Sequence, residues 1–274
     1  MLLWMSGAEA MPVSIPGLRV FRSTTEQLRV GMKECHAVAR TERGRSEWWA
    51  RGKVWNSQPG SIQLKRPGDV HRDLAHDGPI TYQVILLPGS EVERGRDEGK
   101  VIALANLEPG DERSRPFHRL HDAVSAGADR LSLEVALTEA IAAFTQLKSA
   151  APSYTRPVRR AEEYLRERLA DAITLEDLAQ HASLDKFHLC RAFRAQVGMP
   201  PHAYLTHLRI ARAKELLARG VRASEVAPQV GLYDQSQLNR HFRRIVGTTP
   251  ARYGNARVGH SPLVQLAAHV RRGA

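Results

Sequence analysis

Between Lys186 and Arg244 two short runs are rich in side chains that can grip nucleic acid: Lys186, Arg191 and Arg194 in the first, and Gln235, Ser236, Asn239, Arg240, Arg243 and Arg244 in the second. Arginine offers forked donors that match the guanine edge, Asn and Gln match the adenine edge, and Ser can bond to either. Arg191, Gln235, Ser236, Asn239 and Arg240 are therefore the expected base readers. Lys186, Arg194, Arg243 and Arg244 are the expected phosphate partners, which position a protein on a duplex without reading it. Any one of these residues could belong to an ordinary solvated helix face. Two such faces recurring in register need another explanation. No nucleophile, base and orienter, and no complete metal shell, can be assembled from the sequence, so an enzyme is not expected and no catalytic residue, metal or cofactor is assigned.

The elements that must position these residues form a repeat spanning residues 174–253. Leu178-Ala179 and Ser183-Leu184 fall on Val226-Ala227 and Gly231-Leu232 at an offset of 48 residues; from Leu189 onward the offset is 49, with Phe193 on Phe242, Gly198 on Gly247, Pro201 on Pro250 and Tyr204 on Tyr253. The matched residues are apolar or turn-forming and those between them are polar, so the repeat keeps a scaffold and varies a surface. Each copy reads as helix, turn, helix. Thr174 with Asp177 caps the first scaffold helix, and Asp185 caps a second helix running to about Val197, with Phe187, Leu189 and Phe193 expected inward and Gly198 ending it. In the other copy Asp234 with Gln237 caps a helix through Leu238 and Phe242 to Gly247. This is the helix-turn-helix pattern, whose second helix enters a DNA major groove.

The run from Gly231 through Leu232, Tyr233, Asp234, Gln235, Ser236, Gln237, Leu238, Asn239, Arg240, His241 and Phe242 to Arg244, followed by Gly247-Thr248-Thr249-Pro250 and Tyr253, resembles the signature of the AraC/XylS transcriptional regulators. The first copy is similar to their first helix-turn-helix. The resemblance covers residues 156–253 and implies two helix-turn-helix subdomains joined by one rigid helix, here 201–217, holding the recognition helices about one DNA turn (~34 Å) apart. It implies double-stranded DNA as a partner, a small-molecule effector, RNA polymerase contact, a possible homodimer, and activation more often than repression. Leu232 departs from the usual Phe. Arg222 replaces the first copy's cap, and Pro228 lies inside the second scaffold helix, where it removes a hydrogen bond. That helix is expected to begin near Ser224 or to bend.

The charge is uneven. Residues 1–153 hold 20 Lys plus Arg against 19 Asp plus Glu, whereas residues 154–274 hold 20 against 10, so nearly all of the net +11 sits on the repeat and its tail. A basic domain beside a neutral one suits a polyanion. An anionic membrane surface would account for the charge but not for the two helix-turn-helix units. No apolar run is long enough to span a membrane, and the opening residues lack a signal-peptide pattern, so the cytoplasm is expected. Cys35 and Cys190, two in all, make neither a disulfide framework nor a metal motif.

The preceding region reads as β. After an irregular opening, apolar segments at 53–55, 61–64, 81–87 and 101–107 each precede a Pro-Gly pair, the mark of short strands and tight turns. The expected fold class is α+β: a small β-barrel or cupin-like sensor (1–112), a helical connector with a possible dimer contact (113–150), a linker (151–157), an all-α double helix-turn-helix domain (158–253) and a basic tail (254–274). The segment from Pro67 to His71 resembles the second cupin motif, without a His-x-His upstream; His36, His71 and His76 lack metal spacing. Trp48, Trp55, His71 and Tyr82 are the expected lining of an effector pocket, alongside Trp49 and Leu86. Helices are expected at 117–125 and 132–148, the second with Leu133, Leu137, Ile141, Phe144 and Leu147 on one face, and a short helix at 263–270.

Overall fold

The computed structural model describes residues 8–94, 105–147 and 154–258. They divide into two compact units, residues 8–155 with 192–199, and residues 156–191 with 200–258.

The first unit is one antiparallel sheet of eight strands: β1 (Ala8–Met11), β2 (Arg19–Thr25), β3 (Val30–Met32), β4 (Ala37–Ala50), β5 (Lys53–Ser57), β6 (Ile62–Lys65), β7 (Val70–Leu86) and, after the short helix α1 (Gly89–Arg94), β8 (Asn106–Leu107). The long strands β4 and β7 pair along most of their length and serve two sets of neighbours. Their ends bearing Ala37 and Leu86 carry β6 and β2; their ends bearing Ala50 and Val70 carry β5 and β3. Register shifts near Gly44 let both strands bend. Gly44 has φ +79, and a Cβ there would lie 2.6 Å from the Pro79 carbonyl oxygen, so no other residue fits that crossing.

Sequence order alone misleads here in two ways. The opening is not irregular: β1 to β4 occupy it, hidden because β4 (AVARTERGRSEWWA) is polar on one side and carries a glycine. Gly60, Gly68 and Gly110 make the expected left-handed turns, but Gly89 starts α1 instead of joining two strands. Of the segment 101–107, residues 101–104 lie outside the described residues.

Helices α2 (Arg115–Ser125) and α3 (Arg130–Gln146) begin two residues earlier than the apolar spacing suggests; Pro116 opens the one and Asp129 caps the other by accepting from the Ser132 N–H. They do not form a separate connector. Phe117, Leu120, Leu133, Leu137, Ile141 and Phe144 share one buried core with Val20, Val38, Ile62, Leu64, Ile85 and Leu107 of the sheet. Each such side chain contributes roughly 1.5–3 kcal/mol on burial. The face left exposed on α3 carries Leu131 and Val135.

The second unit holds α4 (Arg156–Glu167), α5 (Leu175–Ala182), α6 (Lys186–Val197, whose last turns are grouped with the first unit), α7 (Pro201–Ala218), α8 (Ala223–Gln229), α9 (Gln235–Val246) and α10 (Pro250–Val258). α4 starts inside the stretch expected as linker. α10 carries the helical unit five residues into the expected tail; the remainder of the tail, with the helix expected at 263–270, lies outside the described residues. α8 begins at Ala223, not Ser224, and contains Pro228. Pro228 deprives only the Ser224 carbonyl of its partner, and both residues are exposed, so water can replace the lost bond. Val226 and Ala227 still reach the core formed with Ile210, Leu217, Leu238, Phe242 and Tyr253. No described helix is long and apolar enough to cross a membrane.

Candidate nucleic-acid interface

Both recognition helices are fixed at their N-termini by carboxylates. Asp185 accepts from the N–H groups of Phe187 and His188 at 3.0 and 2.9 Å, and Asp234 accepts from the Gln237 N–H at 2.7 Å, while the Gln237 side chain takes the Tyr233 N–H at 2.8 Å. Accepting backbone N–H groups holds the Asp185 carboxyl below its usual range, the His188 N–H most strongly. Upstream, Thr174 and Asp177 form a reciprocal capping box on α5. At the other ends Gly198 (φ +94) and Gly247 (φ +79) stop α6 and α9 in the left-handed conformation.

These caps set which faces point outward. On α6, Leu189, Phe193 and Val197 are buried, and Lys186, His188, Arg191 and Arg194 are exposed. On α9, Leu238, Phe242 and Val246 are buried, leaving Gln235, Ser236, Arg240, Arg243 and Arg244 exposed and Asn239 half-buried. All of the residues expected to touch DNA except the half-buried Asn239 are therefore exposed, with Ser236 and Arg240 sharing an open groove of about 400 Å3 with Tyr233, Asp234 and Gln237.

Two of these neighbourhoods differ from a bare solvated surface. Lys186 is paired with Glu176 of α5 at 2.8 Å, which raises its pKa and makes the carboxylate a competitor for any phosphate. Arg244 donates to Nδ1 of His241 at 3.1 Å. That acceptor is available because burial, then the neighbouring guanidinium of Arg244, hold the His241 pKa down and its ring neutral. Phe187 corrects the sequence expectation: it is 78% exposed, one residue past the helix start, instead of facing the core. Helical spacing put Phe187 near the Leu189 and Phe193 stripe, but its position two residues before Leu189 turns it away. Tyr233, just before the α9 cap, is 93% exposed.

The scaffold between the helices is held by polar contacts as well as by its core. Tyr204 of α7 donates to Glu162 of α4 at 2.6 Å, and Arg209 of α7 donates to the carbonyls of Leu169 and Asp171, both at 2.7 Å, satisfying backbone acceptors just beyond α4.

In the β unit two of the four residues expected to line a pocket come together. Trp48 and Trp55 stack across the β4–β5 pair at 6.3 Å; the Trp48 indole donates to Ser57 at 2.9 Å and that of Trp55 to the Ala50 carbonyl at 3.1 Å. His71 meets the Gly31 carbonyl through Nδ1 at 3.0 Å. Tyr82 lies 3.2 Å from the Ser46 hydroxyl, and burial pushes its phenol up to about 12. An open groove of about 550 Å3 is lined by Ser46, Asn56, Ser57, His76, Asp77 and Glu108 among others, and by none of those four. Sequence reading missed the polar residues around Tyr82, above all Lys65 and Gln63; their signal was the alternation Ile62-Gln63-Leu64-Lys65, apolar on one side and polar on the other. Among the described residues no group of three or more His, Cys, Asp or Glu could hold a metal ion, and both cysteines are free thiols.

Comparison with known proteins gives these surfaces a family. Residues 178–256 match the helix-turn-helix domain family and residues 35–141 match the AraC-like ligand binding domain. The activator AarP of Providencia stuartii is 32% identical over 99 residues, 36% of this chain and 73% of AarP. The chain belongs to the AraC/XylS family of transcriptional regulators. An uncharacterised regulator of Bacillus subtilis, YbfI, is 27% identical over 232 residues, covering 80% of this chain and 84% of YbfI. The crystal structure of ToxT from Vibrio cholerae aligns over 89% of this chain and 97% of ToxT, with 12% identity and a TM-score of 0.47. The family matches make the chain a transcriptional regulator, with the AraC-like ligand binding domain in its antiparallel β unit and the helix-turn-helix domain in its helical unit.

Proposed function

We propose that this regulator reads a specific duplex site with α6 and α9 in successive major grooves. The observation that carries the reading is the pair of outward faces, Arg191 with Lys186 and Arg194 on one helix, and Gln235, Ser236, Asn239 and Arg240 with Arg243 and Arg244 on the other, each set by its own carboxylate cap. The first five named as base readers supply specificity; Lys186, Arg194, Arg243 and Arg244 supply salt-dependent affinity. A small molecule in the β unit biases the protein between arrangements of differing DNA affinity, the differential binding that coupling between sites requires. Activation, with RNA polymerase as the further partner, follows the family resemblance and the relative AarP, a transcriptional activator. The cytoplasm is where such a protein meets its DNA. Self-association is part of the same proposal, with Leu131 and Val135 of α3 the exposed apolar residues for it.

Selection of bound sequences from random duplex DNA by the full chain, at physiological salt, tests the reading. Enrichment of two short blocks about one turn apart is expected. Tight binding to every duplex with no enriched site would instead mean a general nucleic-acid compactor.

A further inference from the structure

Among the described residues two Phe, Tyr or Trp side chains are largely exposed, Phe187 at 78% and Tyr233 at 93%, and each stands at the start of a recognition helix. Tyr233 is the residue by which the two copies of the repeat differ in length. Both turns open alike, the Leu184 N–H donating to the Ala179 carbonyl and the Leu232 N–H to the Ala227 carbonyl, each at 3.0 Å. Both then reach a capping carboxylate, Asp185 directly after Leu184, but Asp234 only after one further residue, Tyr233. The first copy closes its turn without a counterpart of Tyr233, so the turn itself does not require it.

The side chain has no use within the chain either, for its hydroxyl makes no hydrogen bond to the described residues. Its backbone, by contrast, is pinned on both sides. Leu232 is buried in the core of the helical unit, the Gln237 side chain accepts from the Tyr233 N–H at 2.8 Å, and Asp234 caps α9 by accepting from the Gln237 N–H at 2.7 Å. A fixed backbone confines the ring, since only two side-chain torsions remain free. The ring borders the open groove that also takes in Ser236 and Arg240, and Arg243 and Arg244 continue the positive charge along the same helix.

We propose that Tyr233 is an anchoring contact to DNA, its hydroxyl donating to a backbone phosphate beside the block read by α9 and its ring lying against the adjoining sugar. The inference rests on the reading that α9 enters a major groove, and adds one residue to that interface. Tyr233 precedes the cap, so it meets the wall of the groove, where the phosphates run, while Gln235, Ser236 and Asn239 further along the helix face the base edges. Tyrosine is among the side chains that bond phosphate oxygens. Being neutral, it does so without displacing a counterion. That neutrality suits the place: a cation here would be drawn to the Asp234 carboxylate in the same groove, as Lys186 is to Glu176 in the first copy.

The test compares the full chain with its Tyr233→Phe and Tyr233→Ala variants by binding isotherms across a salt series, on the selected duplex and on a random duplex of equal length. Tyr233→Phe should weaken binding about three- to tenfold, the effect of one neutral hydrogen bond, and Tyr233→Ala should weaken it further. Both losses should be the same on the two duplexes, because a phosphate contact carries no sequence information. The salt slope should stay as in the wild type, unlike the drop of about one expected when a cation–phosphate pair is lost. A methylphosphonate placed at each position of the selected duplex in turn should find one phosphate, beside the α9 block, where it and Tyr233→Phe are not additive. Tyr233→Phe binding as tightly as the wild type, a loss confined to the selected duplex, a changed salt slope, or additivity at every phosphate each overturns the proposal. Because the side chain is exposed, both variants should keep the fold, which their melting curves check. A wild type that enriches no site counts against sequence reading alone, since the Tyr233→Phe loss is still measured on random duplex.

Discussion

A Cβ on Gly231 would lie 2.4 Å from the carbonyl oxygen of Ala170, so the turn of the second helix-turn-helix rests directly on the backbone just beyond α4. Gly231 also has φ +74, a conformation that costs an L-residue about 1 kcal/mol. Gly231→Ala should therefore lower stability by several kcal/mol, since backbone must move as well. Gly220 makes the control: its φ is +87 but nothing lies within 4 Å of a Cβ there. Gly220→Ala should cost only about 1 kcal/mol. Equal losses for the two in denaturant unfolding would show that the close approach is not what requires glycine.

Arg240 and Arg243 are both exposed on α9 but stand at different heights, Arg240 bordering the groove with Ser236 and Arg243 a turn further from the cap. Arg240→Ala should cost about 1–3 kcal/mol on the selected site and relax preference at one base position, whereas Arg243→Ala should weaken all sequences alike and reduce the salt slope by about one. Binding isotherms on selected and random duplexes across a salt series distinguish them. The same loss on both duplexes for Arg240→Ala would remove it from the base readers.

Phe187 offers an apolar contact to a thymine methyl, the one major-groove feature that polar side chains read poorly. Because it is exposed, Phe187→Ala should leave stability within about 0.5 kcal/mol while reducing affinity for the selected site. A drop in melting temperature with unaltered DNA binding would return Phe187 to the core.

How much of this was legible follows from which interactions are local. Helix caps are set within four residues, so Thr174, Asp185 and Asp234 can be read from sequence, and the doubled spacing alone places Arg191 and Arg240 on outward faces. The β unit was harder. Strands β4 and β7 are long, polar on one side and interrupted at Gly44 and Gly78-Pro79, so neither shows clean alternation. The row Ser23, Tyr82, Thr41 joins residues far apart in sequence. Only pairing brings them together, and no short-range pattern encodes it. Pro228 shows the reverse error: a strong local rule gave way where the carbonyl it orphans belongs to an exposed residue, Ser224.

His207 of α7 is largely buried near Arg244, and burial first, then that guanidinium, lowers its pKa to about 4 from a usual value near 6.5. A histidine with a depressed folded-state pKa binds its proton more readily when the chain is unfolded. Stability is therefore at its full value above about pH 6.5, falls as pH drops through the window to about 4, and is flat below it. The shift corresponds to roughly 3 kcal/mol over the window. His207→Gln keeps a polar side chain of similar reach but cannot titrate, so chemical unfolding of the helical unit, followed from pH 7 to about 4, should show a shallower decline than the wild type by about that amount. Parallel curves for the two proteins would mean that His207 takes up its proton at the same pH in the folded protein as in the unfolded chain, and that its burial beside Arg244 is relieved in solution.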